Sequence, residues 1–302
     1  MDPELAASYR SAEEVARNRA RNFYYSFLVL PRPQRRALCA VYAFMRYCDD
    51  ISDGGAGNED KGEQLRKWRT QLDLALAGDF GGNPFLRAFH DTVRRFSIPG
   101  QYFHWVIDGA EMDLSIESYL TFDELYRYCF NVASAVGLVC LQIFGFREER
   151  ATKYAEHCGI AFQLTNILRD VREDAQMGRI YLPGEDLERF AYTPEDLRRG
   201  VYDGRFRALM AFEADRAREY YRRARNLLPL VDETSRPSLW AMMEIYGRIL
   251  KKIVRREYNV FGRRIRLSKP EKTGIVMKAL AMRYIPGVRI APPPDAVSEE
   301  SP

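Results

Sequence analysis

Apolar residues recur at helical spacing through almost the whole sequence, and this periodicity limits the fold more than any other feature. No segment shows the alternating pattern of a β-strand above that background. The predicted helices cover residues 11–30, 31–53, 60–77, 84–96, 99–113, 121–144, 147–175, 205–228, 236–258 and 268–283. No linker is long enough to divide the core, so we expect one all-α domain, a helical bundle over residues 1–285. The polar, proline-rich residues 286–302 predict a disordered tail.

Two local signals refine these boundaries. Ser11 and Glu14 have the spacing of a capping box, which predicts that the first helix begins at Ser11. Residues 176–200, "QMGRIYLPGEDLERFAYTPEDLRRG", break the helical pattern with glycine and proline. They predict a loop with short helical turns.

Charge and cysteine content argue against several classes of protein. A net charge of +4 from 46 basic and 42 acidic residues is too weak for a dedicated nucleic-acid binder, although it permits an anionic ligand or membrane surface. The cysteines are odd in number, lie among apolar residues and form no CxxC pair, which indicates reduced core cysteines in a cytosolic protein. They are Cys39, Cys48, Cys129, Cys140 and Cys158. We predict no signal peptide and no membrane-spanning helix, and the oligomeric state stays open.

Two pairs of aspartates stand four residues apart inside helices that are otherwise apolar. In the first, "DDISD", Asp49 and Asp53 share a helical face with Tyr42 and Arg46. Carboxylates one turn apart can bind a divalent cation, and Mg²⁺ typically completes its shell with water and substrate phosphate oxygens. Asp50 is close enough to join or support these ligands. This face therefore predicts a metal site.

The second pair repeats this layout in "NILRDVRED". Asp170 and Asp174 share a helical face with Asn166 and Gln163. Asn166, Asp170 and Asp174 would therefore place three oxygen ligands along two turns of the helix. Nearby cations that could bind phosphate are Lys153, Arg169, Arg172 and Arg179.

A single acidic pair of this kind usually belongs to a solvated helix face. Asp49 and Asp53 would also fit the acidic end of a helix that runs into a loop. However, both pairs lie in apolar segments with polar companions on the same face, and two acidic clusters in a helical core repel each other without a cation. The metal-site interpretation is therefore favoured.

A third segment, "YRYCFNVASAVGLVCLQIFG", is strongly apolar but contains the small residues Ala133, Ser134 and Gly137. These residues would allow a close helix contact or leave room for a long ligand, and the pattern does not separate the two. The many Phe and Tyr residues are ordinary core residues on pattern alone. They would also suit an apolar tunnel whose ring faces stabilise a carbocation.

Three stretches, "YAFMRYCDDISD", "YCFNVASAVG" and "GIAFQLTNILRDVREDAQMGRIYLP", resemble the signature blocks of the squalene/phytoene synthase family, the head-to-head isoprenyl diphosphate synthases. "ARNFYYSFLVLP" and "YGRILKKIVRREYNVFGRRIRLSKPEK" are also similar to segments of the family. The resemblance runs from about residue 10 to about residue 283. It implies an isoprenoid-synthase fold with a central active-site cavity between two acidic helices.

The resemblance also implies roles for matching positions. The metal ligands would be Asp49, Asp53, Asn166, Asp170 and Asp174. The catalytic residues would be Tyr128, Arg46 and Tyr42. The substrate-binding residues would be Arg21, Arg46, Gln163, Asn166, Tyr246 and Arg264. The implied cofactor is Mg²⁺, for which Mn²⁺ could substitute, and the implied ligand is a prenyl diphosphate.

The implied reaction joins two prenyl diphosphates. One ionises as its diphosphate leaves, the double bond of the other attacks the allylic cation, and proton loss closes a cyclopropane. After a second ionisation, reduction by NADPH would give squalene, whereas proton loss would give phytoene or dehydrosqualene. No GxGxxG motif follows a strand here, but the reductive members of the family bind NADPH without it, so NADPH use stays open.

Two segments bear on the choice among family members. "VASAVG" and "VFGRRIRLSKPEK" are more similar to bacterial presqualene diphosphate and squalene synthases than to phytoene synthases, which more often have "VAGTVG". We therefore expect farnesyl diphosphate as substrate and presqualene diphosphate as the first product. Phytoene synthase acting on geranylgeranyl diphosphate is the alternative.

The sequence also bears on two other roles. A non-catalytic assembly factor on the same fold is disfavoured because both acidic blocks are intact. The segment "KTGIVMKALAMRYI" places basic residues beside an apolar run, which predicts peripheral contact with the inner membrane surface and would suit a greasy product.

Overall fold

The apolar periodicity is realised as long helices that pack around a shared core. The computed structural model describes residues 2–19, 23–54 and 57–285. The α-helices in these residues are α1 (Pro3–Arg19), α2 (Phe23–Phe27), α3 (Arg32–Asp53), α4 (Asn58–Ala77), α5 (Leu86–Arg95), α6 (Gln101–Ser115), α7 (Phe122–Cys129), α8 (Ala135–Phe144), α9 (Ala151–Gln176), α10 (Gly184–Arg189), α11 (Pro194–Arg198), α12 (Gly204–Ala224), α13 (Arg236–Arg255) and α14 (Lys269–Tyr284). A π-helical segment (Phe130–Ser134) joins α7 to α8. The described residues contain two isolated β-bridges and no strand, so the predicted all-α fold is confirmed.

The first helix begins earlier than predicted. α1 starts at Pro3, so the capping box predicted at Ser11 is wrong. The Asp2 carboxylate caps this helix instead, accepting hydrogen bonds from the backbone N–H groups of Glu4 and Leu5 at 3.4 and 3.3 Å. The apolar stripe of α1 extends ahead of Ser11, which explains the earlier start.

Helix α9 is the central element of the bundle. It packs against α8, α12, α13 and the π-helical segment. Helix α3 packs instead against α1, α4, α5, α6 and α8. The two helices that carry the aspartate pairs are therefore held by largely different neighbours, and a space is left between them.

Glycines allow the π-helical segment to lie against two helices. A Cβ atom added to Gly109 of α6 would come within 2.6 Å of that segment, and one added to Gly159 of α9 would lie 2.5 Å from the Cα of Ser134. The small residues of this region serve both of the purposes that the sequence allowed. Ser134 and Gly137 lie in close contact with α9, and Ala133 and Gly137 line a cavity.

The chain after α9 forms the predicted loop with two short helices, α10 and α11. This loop is fixed to the segment between α6 and α7 by backbone hydrogen bonds. The Ile180 N–H donates to the Glu117 carbonyl at 2.8 Å, and the Gly184 N–H donates to the Tyr119 carbonyl at 2.9 Å. The pairing fixes the position of Tyr181, which lies between these two contacts.

The cysteines and the most apolar segment both belong to the core. All five cysteines are free, and all but the half-buried Cys140 are buried. Among the described residues, the stretch Phe122–Phe144 is long and apolar enough to cross a membrane by those two criteria. Half of its most apolar window is buried, and it packs against α6 and α9. Packing within the bundle therefore accounts for its apolar character.

Candidate active site

A cavity of about 520 Å³ lies between α3, α6, α8, α9 and α13. Its charged lining residues lie in the C-terminal halves of α3, α6 and α9, whereas α2, α8 and the first turns of α9 and α13 contribute apolar ones. The lining of α9 runs from Ala155 to Asp174, roughly 28 Å at 1.5 Å per residue. The charged and amide side chains are Asp49, Asp113, Gln163, Asn166, Arg169, Asp170 and Asp174. The cavity therefore changes from acidic to apolar along its length.

Arg46 holds together the acidic residues at the end of α3. Its guanidinium lies 3.7 Å from the Asp49 carboxylate and donates from Nε to Asp50 at 2.8 Å. Asp50 also accepts from Arg19 at 3.2 Å and does not line the cavity, whereas Asp49 does and is 60% exposed. Tyr42, one turn before Arg46, also lines the cavity, and burial raises its pKa to about 12. Asp49 is thus the better placed of the two acids to meet a ligand.

Several predictions fall outside what the structure describes. Arg21 lies outside the described residues, as does the tail predicted at residues 286–302. Asp53 is the last residue of α3, but its side chain is not among those described. The roles of Arg21 and Asp53 therefore remain predictions from the sequence.

Asp170 is held by two arginines. Arg169 donates to it from Nε at 2.8 Å, and Arg264, in the segment after α13, donates from Nε at 2.8 Å and from Nη2 at 2.5 Å. The Asp170 side chain is 14% exposed. Burial alone would raise its pKa, but these charged hydrogen bonds outweigh burial and hold the pKa below its usual value. Arg264 and Asp170, predicted from distant segments, are thus brought together.

Asp174, one turn further along α9, has the opposite environment. Burial raises its pKa to about 7, and the neighbouring negative charges of Asp170 and Glu173 add to the shift. Arg179 opposes it only in part. Asp174 is therefore a carboxylate that would gain from a nearby divalent cation.

Amide and aromatic side chains complete the α9 wall. The Asn166 amide donates to the Gln163 amide oxygen at 3.2 Å, and both side chains line the cavity. Tyr246 of α13 also lines it, stacked on Phe162 with ring centroids 4.3 Å apart. Gln163, Asn166 and Tyr246, predicted to bind substrate, therefore lie beside the acidic pair.

Asp113 and Tyr181 also line the cavity, although neither was predicted from the sequence. The Tyr181 hydroxyl donates to the Asp113 carboxylate at 2.8 Å, and the predicted catalytic residue Tyr128 donates its hydroxyl to Tyr181 at 3.4 Å. Tyr181 lies within "GRIYLP", a stretch specific enough to have signalled it. Asp113 is a single acid in a helix, a pattern without a specific signal.

The four cations predicted to meet phosphate do not lie together. Arg169 lines the cavity, and Arg179 donates to a backbone carbonyl at the end of α6 at 3.0 Å. Arg172 donates to a backbone carbonyl after α13 and does not line the cavity. Lys153 pairs with a glutamate in the first turns of α9, roughly 25 Å from Asp170 at 1.5 Å per residue. Lys153 is therefore not near the acidic end.

The donor set fits Mg²⁺ by its chemistry. Asp49, Asp170 and Asp174 present carboxylates to the cavity and Asn166 presents an amide, and Mg²⁺ prefers such hard oxygen ligands. In residues 2–19, 23–54 and 57–285, no three acidic, imidazole or thiol side chains converge as one ready-made metal site. The candidate ligands instead lie on two separate helices, α3 and α9. This suits ions that complete their shells with phosphate oxygens.

The sequence is similar to known proteins along nearly its whole length. A family model described as Squalene/phytoene synthase matches residues 16–271. A phytoene synthase of Mycobacterium tuberculosis is 41% identical over 294 residues, which cover 96% of this chain and 96% of that protein. A 15-cis-phytoene synthase of Synechococcus elongatus is 36% identical over 272 residues, which cover 86% and 88% of the two chains.

Solved structures show the same arrangement of helices. A dehydrosqualene synthase crystallised with a ligand matches with a TM-score of 0.84 and 30% identity, over 91% of this chain and 96% of that one. A squalene synthase from Alicyclobacillus acidocaldarius matches with a TM-score of 0.81 and 30% identity, over 86% and 97% of the chains. The protein therefore belongs to the squalene/phytoene synthase family, the prenyltransferases that condense two prenyl diphosphates head to head.

Proposed function

We propose that this protein is a phytoene synthase, which condenses two geranylgeranyl diphosphates and releases both diphosphates. The observation that carries this choice is the 41% identity to a phytoene synthase over 96% of both chains. Two short segments, "VASAVG" and "VFGRRIRLSKPEK", favour farnesyl diphosphate instead. Similarity over the whole length outweighs those segments.

The acidic end of the cavity is the proposed site of ionisation. Bound Mg²⁺, held by Asp49, Asn166, Asp170 and Asp174, would supply positive charge that stabilises the departing diphosphate. The arginines beside these acids have a second role. If Asp170 holds a metal ion, Arg169 and Arg264 would be free to donate to diphosphate oxygens. The same side chains balance the charge of Asp170 and would bind the leaving diphosphate.

The rest of the cavity suits the prenyl chains. Its apolar residues exclude water, which would otherwise quench the allylic cation. Ring faces at the boundary with the acidic end, those of Phe162, Tyr246 and Tyr128, offer negative quadrupole potential to that cation. Loss of a proton, rather than reduction, would complete the reaction to phytoene, so we expect no need for NADPH.

Farnesyl diphosphate is the second candidate substrate, with presqualene diphosphate as product. It is favoured by the matches to the dehydrosqualene and squalene synthase structures, at TM-scores of 0.84 and 0.81. Both matches are 30% identical, below the 41% found with a phytoene synthase.

The test is an incubation of purified protein with Mg²⁺ and either prenyl diphosphate, with and without NADPH, followed by mass identification of the products. A C40 hydrocarbon formed without NADPH supports the proposal. Presqualene diphosphate or a C30 hydrocarbon as the preferred product contradicts it in favour of the second candidate. The absence of turnover with both substrates contradicts an enzymatic role and favours the non-catalytic alternative.

We also propose that α14 contacts an anionic membrane surface. Met277, Tyr284 and the adjoining Ile285 are 60%, 68% and 55% exposed. Basic residues of the same helix are Lys269, Lys272, Lys278 and Arg283. Exposed apolar groups beside cations are typical of helices that lie at the membrane interface.

A further inference from the structure

Three tyrosines pack together beside the acidic end of the cavity. The ring centroid of Tyr128 lies 5.1 Å from that of Tyr181 and 5.4 Å from that of Tyr119, and all three side chains are buried. Tyr128 and Tyr181 line the cavity, whereas Tyr119 does not. The Tyr119 hydroxyl has no hydrogen-bond partner among the described residues. The Tyr128 and Tyr181 hydroxyls therefore belong to a hydrogen-bond chain that ends at Asp113, whereas the Tyr119 hydroxyl lies outside it.

In this hydrogen-bond chain, every hydroxyl donates in the direction of Asp113. A carboxylate can only accept, so Tyr181 donates its proton to Asp113, 2.8 Å away. The Tyr181 oxygen then accepts the proton of Tyr128, at 3.4 Å. This distance is long, as catalytic hydrogen bonds often are before substrate binds. The proton of Tyr128 thus points toward Tyr181, and the Tyr128 oxygen, in a side chain that lines the cavity, keeps its lone pairs as acceptors.

Tyr128 alone is a poor acceptor for the proton that the condensation releases. Burial raises its pKa well above the usual value, and the nearby charge of Asp113 adds to the shift. A tyrosinate is therefore not accessible at neutral pH. A neutral hydroxyl can take up a proton only if it passes its own proton to another group. The chain through Tyr181 ends at a carboxylate, which is such a group.

We propose that Asp113 and Tyr181 are positioning residues that make Tyr128 the proton acceptor of the condensation. The inference rests on the proposed head-to-head condensation, with either prenyl chain. A C–H bond next to the cationic carbon breaks, its electron pair closes the cyclopropane, and the proton goes to the Tyr128 oxygen. The Tyr128 proton passes to the Tyr181 oxygen, and the Tyr181 proton passes to Asp113. The step ends with a neutral Asp113, which ionises again to solvent before the next turnover.

Three variants test this chain. Tyr181→Phe removes both hydrogen bonds of Tyr181. Asp113→Asn keeps an acceptor for Tyr181 but cannot hold a proton. Tyr119→Phe is the matched control, because it removes a hydroxyl from the same cluster that has no partner in the described structure. For each variant we would measure kcat, KM, the melting temperature, and the ratio of prenyl alcohol to condensed product per diphosphate released.

Tyr181→Phe and Asp113→Asn should each lower kcat by roughly 100-fold or more with little change in KM, the size expected for loss of general base catalysis. The share of prenyl alcohol should rise, since a cation that keeps its proton persists until water attacks it. The double variant should be no slower than the slower single variant, because both residues serve one chain. Tyr119→Phe should match the wild type.

Four results would overturn the inference. Wild-type kcat in Asp113→Asn would show that no proton reaches this carboxylate. Equal losses in Tyr119→Phe and Tyr181→Phe, or an unchanged share of alcohol, would indicate a purely structural cluster. If the losses of kcat multiply in the double variant, Asp113 and Tyr181 act independently and not through one hydrogen-bond chain. If Asp113→Asn does not fold, Tyr181→Phe against Tyr119→Phe decides alone. A wild-type protein without turnover would instead overturn the proposed function.

Discussion

Asp170 and Asp174 stand one helical turn apart on α9, in opposite electrostatic environments. Asp170 is neutralised by Arg169 and Arg264, which lower its pKa despite burial. Asp174 is buried among other acids, and its pKa is raised to about 7. In the metal-free protein, ionised Asp170 therefore stabilises the fold, whereas ionised Asp174 opposes it.

Isosteric substitutions at these two positions should change stability in opposite directions. At pH 8 without metal, Asp174→Asn should raise the free energy of unfolding by about 1–3 kcal/mol, because it removes a buried charge among like charges. Asp170→Asn should lower it by about 1–3 kcal/mol, because Arg169 loses its buried partner. Both variants should lose turnover. Urea unfolding in EDTA measures both changes in the free energy of unfolding. Changes of the same sign in the two variants would contradict the opposite environments of Asp170 and Asp174.

The Asp174 effect should also depend on pH. Between the unfolded pKa near 3.8 and the folded pKa of about 7, the folded state binds more protons at this group than the unfolded state does. The stability difference between wild type and Asp174→Asn should therefore grow as pH rises from 5 to 8. The lowered pKa of Asp170 contributes no change in that window, because its stabilising charge is lost only at more acidic pH. Unfolding curves across this range provide the measurement, and a constant difference would argue against a raised pKa.

Asp49 and Asp50 should differ in their effect on turnover. Asp49 lines the cavity, whereas Asp50 pairs with Arg46 and Arg19 outside it. Asp49→Asn should reduce kcat by roughly 100-fold or more, the order of effect seen when a direct stabiliser of transition-state charge is removed. Asp50→Asn, the matched control, should cost roughly 10-fold or less. Steady-state kinetics at saturating Mg²⁺ checks this. Losses of kcat of equal size in the two variants would contradict different roles for Asp49 and Asp50.

How far a residue could be predicted depended on the pattern around it. Asp49, Asp170 and Asp174 repeat at helical spacing among apolar residues, so their shared cavity could be expected from the sequence. Asp113 has no such repeat, and its contact with Tyr181 depends on the backbone pairing that fixes the loop after α9. Contacts between segments distant in sequence leave no local periodicity.

At the scale of elements, long periodic helices were predicted well and departures from α-geometry were not. Residues 121–144 were predicted as one helix, but Phe130–Ser134 is π-helical. Hydrophobic spacing does not signal this change, and neither do the close contacts that this segment makes with Gly109 and Gly159, which are distant in sequence. Such segments are frequently found at functional sites, and here Ala133 at its end lines the cavity.

A Cβ at Gly159 should therefore be costly. Gly159→Ala would place that atom 2.5 Å from the Ser134 backbone, which must shift, so we expect a loss of about 2–3 kcal/mol in the free energy of unfolding. Gly247→Ala in α13 is the matched control. Nothing lies within 4 Å of its added Cβ, so we expect a gain of about 0.5–1 kcal/mol from helix propensity. Denaturant unfolding of both variants checks this, and a loss at both positions would refute the close-contact explanation.

At the scale of the whole molecule, the cavity and the exposed face of α14 are related through α2. Phe27 at the end of α2 lines the apolar part of the cavity, and the next residue, Leu28, is 38% exposed. Helix α14 packs on α2, and Arg283 donates a hydrogen bond to the carbonyl of Val29. The proposed membrane surface thus adjoins the apolar part of the cavity. An apolar product leaving on this side would meet lipid directly.

The membrane proposal predicts binding that depends on both lipid charge and this surface. The wild type should co-sediment with vesicles that contain phosphatidylglycerol, and less with phosphatidylcholine vesicles or at high salt, because anionic lipid attracts the basic residues of α14. Met277→Asp with Tyr284→Asp should reduce binding to anionic vesicles roughly 10-fold or more. Both exposed apolar groups are replaced by carboxylates, which the anionic lipid repels. Leu120→Asp is the matched control, because Leu120 is 70% exposed and lies ahead of α7, which packs against α6, α9 and the π-helical segment. Equal loss in the control, or a wild type that stays in the supernatant with every vesicle, would contradict docking through α14.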